Sequence, residues 1–211
     1  MAVIFDLDGT LINTTSLNVK LIKEGYEKLG IKLSTNFVKQ IVKFPYTTIA
    51  KLIYEKTNIK ITNKDIEKVH IYKLEHMEEN LNKVTAFKGA EKTIDFLKSK
   101  QVKIGIFTSA SKKEVELYKR KVKFLNKFDV IVSSTMKREK PDPYFLIKTL
   151  SLLKASKNKS VYIGDAPVDE MAAKRAGIKF IGVFNKDLHP YFKSYKDLLN
   201  YFKKNYEMFK E

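Results

Sequence analysis

Five short apolar runs punctuate the chain: Ala2-Val-Ile-Phe5, Lys103-Ile-Gly-Ile-Phe107, Phe128-Asp-Val-Ile-Val132, Ser160-Val-Tyr-Ile163 and Lys179-Phe-Ile-Gly-Val183. Each reads as a buried parallel strand. Helical signals lie between them. Ser111 and Glu114 have capping-box spacing ahead of a helix carrying Val115, Tyr118 and Val122. Asp142 and Pro143 read as an N-cap and N1 pair that opens a helix through Leu153. Pro167 to Ala176 is helical and stops at Gly177, a candidate left-handed C-terminal cap. Ser194 starts a last helix with Leu198, Phe202 and Tyr206 on one side. Strands and helices in this alternation predict an α/β fold, a doubly wound Rossmann-like parallel sheet.

The stretch from about Thr15 to Thr85 breaks the rhythm. It carries no convincing strand. It reads as helices over Leu17 to Leu29, Asn36 to Lys43, Thr47 to Lys56 and Thr62 to Leu81, with Thr62 and Asp65 marking one start. The expected organisation is a core from residues 1–14 and 86–211, with a helical cap inserted at 15–85. Ligands bind at the carboxyl ends of strands in such sheets, so a block inserted after the first strand is placed to act as a lid. Lys83 to Lys88 is the expected return hinge.

Composition limits the function classes. The 211 residues are 44% apolar and include no cysteine, which excludes disulfides and thiolate metal sites. No apolar run reaches membrane-spanning length and the first residues lack a secretory pattern, so a cytoplasmic protein is expected. The formal charge is +17. Its lysines are dispersed, which suits a solvated surface rather than a track for specific nucleic-acid binding.

Four sites follow predicted strands. Asp6-Leu-Asp8-Gly-Thr10 puts two carboxylates at i and i+2, then a glycine that lets the backbone turn. The first carboxylate suits a nucleophile or metal ligand, the second a general acid/base. Thr108-Ser109 offers a hydroxyl and a backbone N–H for phosphoryl oxygens. Lys140-Pro-Asp-Pro143 delivers a positive charge. Gly164-Asp165-Ala-Pro-Val-Asp169 pairs two aspartates at the first turn of a helix, a hard-oxygen set suited to Mg²⁺. Each alone has an ordinary explanation as a turn, cap or solvated charge.

Together and in this order they resemble the four motifs of the haloacid dehalogenase superfamily, over nearly the whole chain. Phe87 to Ser109 and Lys137 to Asp169 are similar to the cap-one subfamily that holds phosphoglycolate phosphatases and β-phosphoglucomutases. The resemblance implies a Mg²⁺-dependent phosphatase acting on a small phosphorylated metabolite, as a monomer or homodimer. It implies that Asp6 is nucleophile and Mg²⁺ ligand, and that Asp8 is general acid/base and lends its carbonyl to the metal. By the same resemblance, Thr108 and the Ser109 amide hold the phosphoryl group and Lys140 orders Asp6. Asp165 then binds Mg²⁺ directly and Asp169 supports the metal shell.

Three rival readings compete with this one. Dehalogenases resemble this chain but lack an aspartate at the Asp8 position. Phosphomutases resemble it too, but carry a histidine where this chain has Asn18 and usually an aspartate where it has Asn13. A non-catalytic basic binding protein would not need all four motifs. His70, His76 and His189 lack zincin spacing, and the first two read as surface residues of the cap. Phe44 and Tyr46 are read as cap core packing rather than substrate contacts. Phosphoglycolate, sugar phosphates, nucleotide monophosphates and pyrophosphate all remain open as substrates.

Overall fold

A computed structural model describes residues 1–42, 44, 46–135 and 138–205, and the side chains of residues 46 and 47 are outside that description. The Tyr46 side chain, Tyr206, Lys43 and Lys137, all part of the readings above, therefore lie outside the described residues.

Six parallel strands form one sheet: β1 (Ala2–Phe5), β4 (Lys103–Thr108), β5 (Val130–Ser133), β6 (Ser160–Gly164), β7 (Lys179–Val183) and β8 (Tyr191–Phe192), in the order β5-β4-β1-β6-β7-β8. β1 is central because all four of its residues are apolar and fully buried. Alternate side chains pack on opposite faces. Val3 and Phe5 join a cluster with Ile94, Tyr118, Leu198 and Phe202, whereas Ala2 and Ile4 join one with Leu146, Leu150 and Ala172. Helices α5 (Ala90–Ser99), α6 (Lys112–Lys121) and α9 (Tyr195–Asn205) thus cover one face, and α7 (Tyr144–Leu152) and α8 (Pro167–Ala176) cover the other. The doubly wound sheet is the expected one. β8 and α5 were not legible as elements.

Local signals set most boundaries. The capping box between Ser111 and Glu114 is present at α6, with the Ser111 hydroxyl accepting from the Glu114 N–H. Gly177 ends α8 at φ +69°, in the left-handed region. The Asp142-Pro143 reading needs correction by one position. Pro143 is the N-cap residue and the helix begins at Tyr144, whose N–H donates to the Asp142 carboxylate at 2.8 Å. An Asx-type turn therefore takes the place of the expected Pro at N1.

Among the described residues, four α-helices separate Asn13 from Thr85: α1 (Thr15–Lys28), α2 (Thr35–Ile41), α3 (Tyr46–Thr57) and α4 (Asn63–Met77). They share a separate apolar cluster built on Val19, Tyr26, Val38, Ile53, Ile66 and Val69. The expected helix to Leu81 ends at Met77 and continues as a 3₁₀ turn, Glu78–Lys83. The chain enters and leaves this block through a two-residue antiparallel ribbon, β2 (Ile12–Asn13) with β3 (Thr85–Ala86). This ribbon occupies the segment expected as the return hinge.

Candidate active site

The central strands β4, β1 and β6 deliver three groups to one edge of the sheet. Asp6 follows β1, Thr108 ends β4, and Asp165 follows β6. Lys140 comes from the loop before α7, and Asp169 from the first turn of α8. Asp6, Lys140, Asp165 and Asp169 are all buried, each at 5% exposure or less.

Lys140 holds the cluster together. Its Nζ donates to Asp6 at 2.5 Å and to Asp169 at 2.8 Å. The ammonium also lies 4.8 Å from the Phe107 ring centroid and 5.5 Å from that of Tyr162. Burial pulls the ammonium's pKa down, but Asp169 and Asp6 outweigh burial and hold it above its ordinary value. Burial pushes the Asp6 carboxyl well above the ordinary range. Lys140 opposes this, and the charges of Asp169 and Asp165 add to it.

Carboxylate oxygens of Asp6, Asp165 and Asp169 lie within 4.8 Å of one another. Lys140 bonds two of these three buried carboxylates, and the carboxylates of the cluster outnumber its lysine. Their hard oxygens fit a Mg²⁺ ion. Asp169 contributes least to open coordination. One of its oxygens accepts from Lys140 and from the Tyr162 hydroxyl at 2.9 Å, and the other from the Ala166 N–H at 3.1 Å. Asp165 is steadied by the Thr10 hydroxyl at 3.2 Å, and its backbone carbonyl accepts from the Asn185 amide.

Two glycines permit this crowding. A Cβ on Gly9, at φ +86°, would lie 2.7 Å from the Asp165 carboxylate; one on Gly164 would lie 2.5 Å from the Asp169 Cβ. Gly9→Ala therefore combines left-handed strain with a clash on Asp165. It is expected to lower stability by about 1–3 kcal/mol, measured by chemical denaturation, and to weaken Mg²⁺ binding measured by calorimetry.

Asp8 stands apart from the triad. Its carboxylate accepts from the Thr14 hydroxyl at 2.5 Å and from the Asn18 amide at 3.4 Å, and that amide also reaches Thr14 at 3.2 Å. Burial raises its pKa, with Lys73 and Thr14 opposing, which favours the protonated form that a general acid needs. Asn18, noted in the sequence only as a departure from the mutase pattern, thus touches the proposed acid/base. Asn13 does not; its side chain caps the Thr15 N–H.

The Thr108 hydroxyl accepts from the Ala110 N–H at 3.0 Å, which leaves its hydrogen available to donate. Ser109 is exposed and lines the same cavity as Thr108 and the aspartates. That cavity, of about 510 Å³, reaches upward among the helices α1–α4.

Lys73 of α4 and Glu114 of α6 meet across the two helical layers at 2.5 Å, with side chains 9% and 0% exposed. Burial raises the Glu114 pKa, but Lys73 and nearby donors outweigh it, so the carboxyl stays below its ordinary value. This pair was not legible: Glu114 read as a capping residue and Lys73 as one lysine among many. His70, expected on the surface, is half-buried and lines the cavity, and burial lowers its pKa. Phe44, expected in the core, is 48% exposed and also lines the cavity. It sits just past the end of α2.

A parallel sheet with three buried carboxylates and one buried lysine at its carboxyl edge is an arrangement suited to hydrolysis by phosphoryl transfer. The chain belongs to the haloacid dehalogenase-like hydrolases, whose sequence model matches residues 3–183. It is 30% identical to the phosphorylated carbohydrates phosphatase of Thermotoga maritima, covering 85% of this chain and 83% of that one. It is also 30% identical to the pyrophosphatase PpaX of Bacillus mycoides, covering 86% and 82%. The fold matches a crystal structure of a hydrolase from Pseudomonas syringae with a TM-score of 0.81 at 24% identity, over 96% of this chain and 98% of that one.

Proposed function

We propose that this protein is a Mg²⁺-dependent phosphatase that hydrolyses a small phosphate monoester through an aspartyl-phosphate on Asp6. The observation that carries the reading is the shared lysine. Lys140 binds Asp6 and Asp169 together, with Asp165 beside them, beneath a cavity of substrate size.

The Asp6 carboxylate forms a bond to phosphorus as the bond to the leaving oxygen breaks, and Asp8 gives its proton to that oxygen. Water then attacks the phosphorus, Asp8 takes the proton, and Asp6 is released. Thr108, the Ser109 N–H and Lys140 hold the phosphoryl oxygens and offset their charge. Asp6, Asp165 and the Asp8 carbonyl would hold Mg²⁺, with Asp169 supporting the arrangement. When bound, the ion supplies charge compensation at the transferring group. Residues 15–85 form the cap in this reading and choose the substrate.

The dispersed lysines fit this reading without a nucleic-acid role. The Thr14 hydroxyl and the Asn18 amide both reach the Asp8 carboxylate, so Asn18 does not leave that group unheld. The direct discriminator between phosphatase and mutase is the product: inorganic phosphate is expected from β-glucose 1-phosphate, if it is turned over, and not glucose 6-phosphate.

Chelation should remove activity and added Mg²⁺ should restore it. Asp165→Ala should raise the Mg²⁺ needed for half-maximal phosphate release more than Asp169→Ala does, because Asp169 is already bound by Lys140, Tyr162 and Ala166. Full activity in excess chelator after dialysis would contradict the metal assignment, and the reverse order of variants would move the primary ligand to Asp169.

A further inference from the structure

The cavity above the aspartates has two halves of different chemistry. Its floor is polar, with the carboxylates, Thr108 and Ser109. Its upper wall is built from Ile22, Tyr26, Ile41, Ile49, Ile66 and Val69, all from the helices α1–α4. Phe44 and Ile71 also line it and each is 48% exposed. Exposed apolar side chains at the rim of an apolar pocket are positioned to cover an apolar ligand.

The charges point the same way. Among the described residues the cavity is lined by two lysines and no arginine. Lys140 lies at the phosphoryl end, bound to Asp6 and Asp169, and in the proposed reaction serves the transferring group rather than the leaving group. Lys73 is committed to Glu114, whose other carboxylate oxygen accepts from the Ser111 N–H at 2.7 Å. Drawing Lys73 away to a substrate anion would strand a fully buried carboxylate, a costly arrangement. A second phosphate or a carboxylate on the leaving group would therefore enter largely apolar surroundings in which neither of the two described lysines is ready to receive it.

Resting on the reading of the site as a phosphomonoesterase, we propose that the alcohol it releases is uncharged and largely apolar, and that the Lys73–Glu114 pair rejects leaving groups that carry a second anion. The pair is a specificity device: it places a cation in the cavity and cancels that cation before a substrate can use it.

The test compares two ligands of the same body, benzylphosphonate and 4-carboxybenzylphosphonate, by calorimetry with Mg²⁺ present. The wild type should bind the uncharged ligand about tenfold or more tightly than the carboxylated one. Glu114→Gln keeps a residue type that serves the capping box but frees Lys73, and should narrow the gap to about threefold or less. Equal or tighter binding of the carboxylated ligand by the wild type would overturn the proposal, whatever the variant's stability. An unchanged gap in a folded Glu114→Gln protein would overturn the role given to the ion pair. Phosphate release from benzyl phosphate is measured separately. Its absence, with the ligand preference intact, would count against the phosphatase reading while leaving the selectivity of the cavity standing.

Discussion

Asp6→Asn is expected to lower kcat by about 10⁴-fold or more, with the fold unchanged. The amide is isosteric, so β1 and the buried edge of the sheet lose no volume. It cannot form the acyl-phosphate, and it binds a divalent cation more weakly than a carboxylate does. Both proposed roles of Asp6 fail together. The loss should appear in kcat with a wild-type circular dichroism spectrum. Near wild-type turnover by this variant would end the mechanism. Because burial and the neighbouring aspartates already push the Asp6 carboxyl upward, removing its charge should also leave the metal-free protein no less stable than wild type.

Lys140→Met is expected to show the second large effect, on stability as well as rate. The lysine is 5% exposed and is the cation bound by Asp6 and Asp169. Methionine keeps much of the hydrocarbon stem beside Phe107 and Tyr162 but removes the charge. Two buried carboxylates then lose their partner, a change that costs about 3–5 kcal/mol when a buried pair is broken. The metal-free variant should show this as a lower denaturation midpoint near neutral pH. The pH dependence has a definite sign. A carboxyl whose native pKa lies above its unfolded value binds more protons when folded, so stability falls as pH rises through that interval. Asp6 already has this displacement and the variant enlarges it. The stability gap between variant and wild type should therefore shrink on acidification. Added Mg²⁺ should recover part of the loss, because the ion binds only the folded cluster. In the presence of Mg²⁺, kcat should still fall by about 10²–10³-fold, since the phosphoryl oxygens lose a charged donor. Unchanged stability and rate would mean that Lys140 is not the cation that organises the triad.

The sheet was legible because its central strands β1, β4 and β6 are buried on both faces. β1 and β7 begin and end where their apolar runs do, and the strands β4, β5 and β6 differ only at their ends. β8 escaped notice because two residues, Tyr191 and Phe192, are too few to show a pattern. The aspartates, Thr108, Ser109 and Lys140 were legible through their order after the strands. What the sequence could not show is how each is held. Thr10, Tyr162 and Asn185 support the aspartates from 155, 7 and 20 positions away, and such contacts leave no local signature. The cap shows the same limit. Periodicity found its helices, yet Phe44 read as core and His70 as surface, because which face of a helical layer meets a cavity depends on its packing against the sheet. Lys73 and Glu114 pair between two layers that the sequence places 41 residues apart.

The central claim is that the phosphoryl group passes through the Asp6 carboxylate. Rapid acid quench of enzyme, Mg²⁺ and a turned-over phosphate ester, followed by borohydride reduction and peptide mass spectrometry, tests it directly. An aspartyl-phosphate is reduced to homoserine, whereas a free carboxylate is not. Homoserine should appear at position 6, only with substrate present, and at a rate no slower than turnover. Phosphate release with Asp6 unmodified at every quench time, or with the label at another residue, would contradict the account.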